Sequence, residues 1–81
     1  MNRIVIDPDI CNGQPTVAGT RVPVRSIVVQ WLYHQDVERV RAAFPRLDAS
    51  AIAEALTFYE ANREEIDLLV EENERATYAA E

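Results

Sequence analysis

The sequence predicts a mainly α-helical domain that opens with a short N-terminal β arm or hairpin and closes with an amphipathic, acidic helix. Three observations predict it. Both glycines, Gly13 and Gly19, and three of the four prolines, Pro8, Pro15 and Pro23, fall between Asp7 and Val24. Residues 24 to 74 then contain no glycine and only Pro45. Throughout that second stretch apolar residues recur at helical spacing. Glycine supplies positive φ and proline fixes φ near its ring value, so the first block dictates a backbone path, whereas the second is free to coil.

Taken in order, Arg3 to Asp7 is a strand candidate, and Thr16-Val17 is expected to pair with Arg21-Val22 across Ala18-Gly19-Thr20 as a small hairpin. Val24, Ile27, Val28, Trp31 and Leu32 fall at i, i+3, i+4, i+7 and i+8. This puts all five on the core-facing stripe of a first helix from about Val24 to Tyr33, with His34 at its electronegative end. Asp36 is placed to cap a second, short helix carrying Val37, Val40 and Phe44, which Pro45 brings to an end. Asp48 is placed to cap a third, with Ile52, Ala55, Leu56 and Tyr59 on its inner stripe. Asn62 and Glu65 have capping-box spacing, which implies a restart before a last helix with Ile66, Leu69 and Val70 on one side. The expected divisions are an arm over residues 1–23, a three-helix bundle over 24–61 and the acidic helix over 62–75. Composition and terminal position favour fraying of residues 76–81.

Composition narrows the function. At 81 residues the chain is one domain with a modest core, to which a partner can add stability. It has no apolar run long enough to span a bilayer and no secretory pattern at its N-terminus, so a cytoplasmic protein is the expectation. Cys11 is the single cysteine and His34 the single histidine; neither stands near residues that would make it a nucleophile, a base or a metal ligand in sequence. Asp7-Pro8-Asp9 reads as turn chemistry. No catalytic constellation, metal site or cofactor motif stands out, and we expect no enzyme activity. Charge is unevenly spread: residues 1–46 carry +2 and residues 47–81 carry −8, for a total of −6. Every basic residue is arginine, which suits recognition of phosphate or carboxylate but is read more simply as a codon bias.

The order Cys11-Asn12-Gly13-Gln14-Pro15, Gly19-Thr20-Arg21-Val22-Pro23-Val24, a helix, then Phe44-Pro45-Arg46-Leu47 and a second amphipathic run resembles the bacterial domain-of-unknown-function 433 family over residues 4 to 61. The resemblance implies a homeodomain-like helix-turn-helix bundle. It also implies the antitoxin half of a type II toxin–antitoxin pair, encoded beside a PIN-like ribonuclease toxin. One departure stands out: the family usually has a glycine between its first two helices where this chain has His34-Gln35, so that turn must be built differently. With a helix-turn-helix, the residues expected to meet operator DNA are Arg21, Arg25, Arg39, Arg41 and Arg46 at phosphates, with Ser50 and Thr57 on the reading helix. The last helix is expected either to fold back on its own bundle or to dock Ile66, Leu69 and Val70 in a groove of the toxin, its acids facing a basic surface. Arg63, Asn73 and Arg75 complete that toxin-facing set, the two arginines being placed to reach an acidic metal site. Because so little sheet is marginal alone, the arm is expected to pair with that of a second chain in a homodimer. The alternatives are a stand-alone helix-turn-helix DNA-binding regulator and a structural interaction module that binds no DNA.

Overall fold

The computed structural model describes the backbone of residues 3–79 and the side chains of residues 3–72. The first strand is shorter than its apolar run: β1 (Ile4–Val5) pairs antiparallel with β2 (Thr16–Val17), Ile4 opposite Val17 and Val5 opposite Thr16. The expected hairpin return lies on the other side of β2 as a looser pairing. There Val17 N–H donates to the Val22 carbonyl at 3.0 Å, Val24 N–H donates to the Pro15 carbonyl at 2.8 Å, and Thr16 bridges Pro23. Pro23 lacks an N–H, so this return cannot lengthen into a ladder. Between the strands the chain reverses through three successive left-handed residues, Cys11 (φ 51°), Asn12 (φ 57°) and Gly13 (φ 80°). That path strains Cys11, and it is held by Ile10 N–H on the Asp7 carbonyl at 2.9 Å, Gly13 N–H on the Ile10 carbonyl at 3.0 Å and Cys11 Sγ on the Arg21 carbonyl at 3.3 Å.

Four helices follow: α1 (Val24–His34), α2 (Val37–Ala43), α3 (Ala49–Ala61) and α4 (Arg63–Ala79). Asp36 and Asp48 cap α2 and α3, accepting from Glu38 N–H at 2.9 Å and Ala51 N–H at 2.8 Å. The glycine-less turn after α1 is built on Gln35, which takes the left-handed conformation itself (φ 54°, ψ 31°). Its N–H returns to the Trp31 carbonyl at 2.7 Å, and its side-chain Nε2 donates to the Trp31 and Leu32 carbonyls, both at 3.3 Å. The capping box at Asn62 is not formed. Asn62 sits at the kink between α3 and α4 and donates Nδ2–H backwards to the Phe58 carbonyl at 3.0 Å, satisfying an α3 carbonyl rather than an α4 amide. α4 runs to Ala79, beyond the Ala76 at which fraying is expected, since nothing from Arg63 to Ala79 is a glycine or proline that would stop it; residues 80 and 81 lie outside the described residues.

α1 packs against α2, α3 and α4. The core holds Val24, Ile27 and Val28 of α1, Val40 of α2, Leu47, then Ala51, Ile52, Ala55 and Tyr59 of α3, Ile66 of α4, and Ile4 and Val17 of the arm. The arm is anchored in its own bundle by Ile4, while Val5 and Ile6 stay exposed. One expectation changes here. Leu32, placed on the inner stripe by spacing, is 45% exposed, because an i+8 position on a straight helix drifts toward the edge of the stripe and α1 ends two residues later. Among the described residues no helix is long and apolar enough to cross a membrane.

Candidate functional site

The turn Gly19-Thr20-Arg21 is rigid for local reasons. Thr20 Oγ1 donates to the Val17 carbonyl at 2.8 Å and accepts from Val22 N–H at 3.1 Å, while Gly19 carries a φ of 78°. These bonds occupy Thr20 and leave Arg21 exposed at the tip. A second turn, Phe44 to Leu47, closes through Leu47 N–H on the Phe44 carbonyl at 2.9 Å; Leu47 plugs into the core and Arg46 stays outside. The two turns face each other across an open groove of about 790 Å³, lined by Ile10, Val22 and Leu47, by Gly19 and Thr20, and by Arg21 and Arg46. Neither arginine has an acidic partner among the described residues. The groove therefore combines an apolar floor with two uncompensated guanidinium groups.

The other expected DNA contacts do not gather there. Arg25 Nε donates to Gln14 Oε1 at 3.0 Å and ties the arm to α1; Arg41 meets Glu38 at 3.5 Å; Arg39 is exposed on α2. Ser50 and Thr57 are exposed on α3, but that helix holds Glu54 and Glu60 and no basic residue. Its N-terminus is also tied to the arm, where Arg3 lies 2.7 Å from Asp48 Oδ1 and 3.9 Å from Glu54 Oε2. The Ala51 amide, with the Arg3 guanidinium second, holds the Asp48 carboxyl below the usual carboxylate range. An acid-bearing helix end is a poor reader of bases, so the cationic character of this half resides in the two turns and α2.

At the other end, Ile66 is fully buried and Leu69 and Val70 are half-buried against the same core, which corrects the expectation that this stripe is open to a toxin. Of the two readings open for α4, the folded-back one is observed, because its apolar stripe finds a complement on its own bundle. Tyr59 OH donates to Asp67 Oδ1 at 2.8 Å and fastens α4 to α3; that bond, with burial second, raises the tyrosine's pKa. Arg63 lies over the Tyr59 ring at 5.4 Å and meets Glu60 at 3.2 Å, so it is engaged within the chain. The side chains of Asn73 and Arg75 lie outside the described residues. The outward face carries Glu64, Glu65, Asp67, Glu71 and Glu72, and in their midst Leu68, 58% exposed. Neither Leu68 nor Ile10 is among the residues expected from the sequence; the signal for Leu68 is a leucine with acids at i−4, i−1 and i+3.

A family model described as "Protein of unknown function (DUF433)" matches residues 4–59. The chain belongs to the DUF433 family. Both turns of the groove lie within the span matched by DUF433, and α4 lies beyond it. Among curated proteins, the chain is 42% identical over 59 residues to "Uncharacterized protein y4eO" of Sinorhizobium fredii, covering 73% of this chain and 27% of that protein. The match thus takes in about a quarter of the relative's length. Among solved structures, the crystal structure of a DUF433 member protein from Anabaena variabilis superposes with a TM-score of 0.79 at 33% identity, over 86% of this chain and 69% of that one. The DUF433 fold, a short β arm leading into a helical bundle, is common to both structures.

Proposed function

We propose that this chain is a non-catalytic binding protein, the antitoxin half of a type II toxin–antitoxin pair. Its α4 face engages a PIN-like ribonuclease, and its arginine turns touch operator DNA. The observation that carries this reading is the separation of charge: the outward face of α4 is acidic around Leu68, while Arg21 and Arg46 stand at the groove. A toxin that binds RNA presents a basic surface, and an acidic face with an apolar centre is the chemistry that meets one. The contact then moves from Ile66, Leu69 and Val70 to the opposite side of the same helix. Pairing of arms in a homodimer remains part of the proposal, because Val5 and Ile6 are exposed at the arm. The test is co-expression with the protein encoded in the adjacent reading frame. Growth rescue and stoichiometric co-purification are expected, both lost in a Glu65→Lys, Glu72→Lys variant whose melting temperature is close to that of the parent. A chain that neither rescues growth nor co-purifies overturns the reading. Deleting α4 is not a clean test, since it takes Ile66 out of the core.

A further inference from the structure

The groove and the outward face of α4 are complementary to each other. The groove has an apolar floor of Ile10, Val22 and Leu47 and two arginines at its rim. On α4, Leu68 forms an exposed apolar centre with Glu64, Asp67 and Glu71 around it. We propose that the groove of one chain receives the Leu68 face of a second copy, Leu68 on the apolar floor and the surrounding carboxylates on Arg21 and Arg46.

A free inorganic anion would satisfy the guanidinium groups and leave the floor wet, whereas an acid-ringed leucine meets both features. Reach within one chain is closed: Ile66 in the core and the Tyr59 to Asp67 bond fix α4 where it is, so the occupant comes from another molecule. Charge supports the same choice. A chain of −6 resists self-association by most faces, but this contact sets its +2 half against its −8 half. Since the two surfaces differ, one-sided docking is heterologous and grows with concentration, whereas reciprocal docking closes an isologous dimer. Where the antitoxin reading holds, the toxin and the second copy compete for Leu68, and DNA phosphates compete for the arginines. The contact itself does not depend on that reading.

The experiment is sedimentation equilibrium of the chain alone at about 50 mM and about 500 mM salt, with two variants. One is Arg21→Glu, Arg46→Glu, which removes the groove; the other is Leu68→Lys, which removes the face. Both substitute exposed side chains, and circular dichroism melts confirm folding. The parent is expected to self-associate at low salt and weaken by about tenfold or more at high salt. Each variant alone is expected to lose this salt-sensitive association, and an equimolar mixture of the two to recover it, because one supplies the face and the other the groove. A parent that is monomeric at both salts overturns the proposal. So does salt-sensitive association that either variant retains, or a mixture that does not recover it. The test involves neither toxin nor DNA, so its failure leaves the antitoxin reading standing.

Discussion

Gln35 shows how one residue absorbs the loss of a favourable backbone choice. A side chain in the left-handed region costs about 1 kcal/mol against glycine, and Gln35 offsets part of this with two long amide bonds to exposed carbonyls. Each such bond is worth less than about 0.5 kcal/mol in water. Gln35→Gly is therefore expected to stabilise the protein by about 0.5 kcal/mol, raising the melting temperature by about 2–4 °C, with Gln35→Val moving it down by more. Thermal denaturation followed by circular dichroism checks both directions. A lower melting temperature for the glycine variant would mean that the side-chain bonds outweigh the conformational penalty.

At the level of elements, what the sequence made legible was what neighbours along the chain decide. Asp36 and Asp48 cap because a carboxylate before a helical run meets the free amides of its first turn, and Gly13 and Gly19 mark turns because of their own φ. The stripe Ile66, Leu69, Val70 was equally legible as a stripe. Its partner was not, because periodicity tells which face is buried and not against what. The groove was hidden for a related reason: Gly19-Thr20-Arg21 and Arg46-Leu47 are distant in sequence and meet only when Ile4 and Leu47 enter one core. The attachment of α4 can be tested through Tyr59. Its hydroxyl bond to Asp67 favours the neutral phenol in the folded state, so its stabilisation is complete below the ordinary tyrosine range and is lost as pH rises through the elevated folded value. Tyr59→Phe is expected to lower stability by about 1 kcal/mol at neutral pH. The gap between parent and variant should narrow in alkaline denaturation series. A gap that is constant with pH would assign the loss to packing rather than to the hydrogen bond.

Across the whole molecule, the division of charge makes one chain present two chemically opposite surfaces on a single small core. α1 packs against all three other helices, so the arginine turns and the acidic helix are held on one rigid body rather than on separate modules. This arrangement changes what DNA binding would look like. With Asp48 and Glu54 engaged by Arg3 at the start of α3, and no basic residue along that helix, contact through Arg21 and Arg46 would be with phosphates and largely indifferent to base sequence. Each phosphate contact releases counterions, so the logarithm of affinity falls linearly with the logarithm of salt concentration. Arg21→Ala and Arg46→Ala are each expected to weaken binding to operator and unrelated duplexes alike and to reduce the salt slope by about 1. Ser50→Ala and Thr57→Ala are expected to change neither, although both lie where a reading helix would place its contacts. Fluorescence anisotropy over a salt series with the two kinds of duplex measures all four. A sequence-dependent loss at Ser50 or Thr57 would restore α3 as the reading element and require the Arg3 pairs at its N-terminus to open when DNA binds.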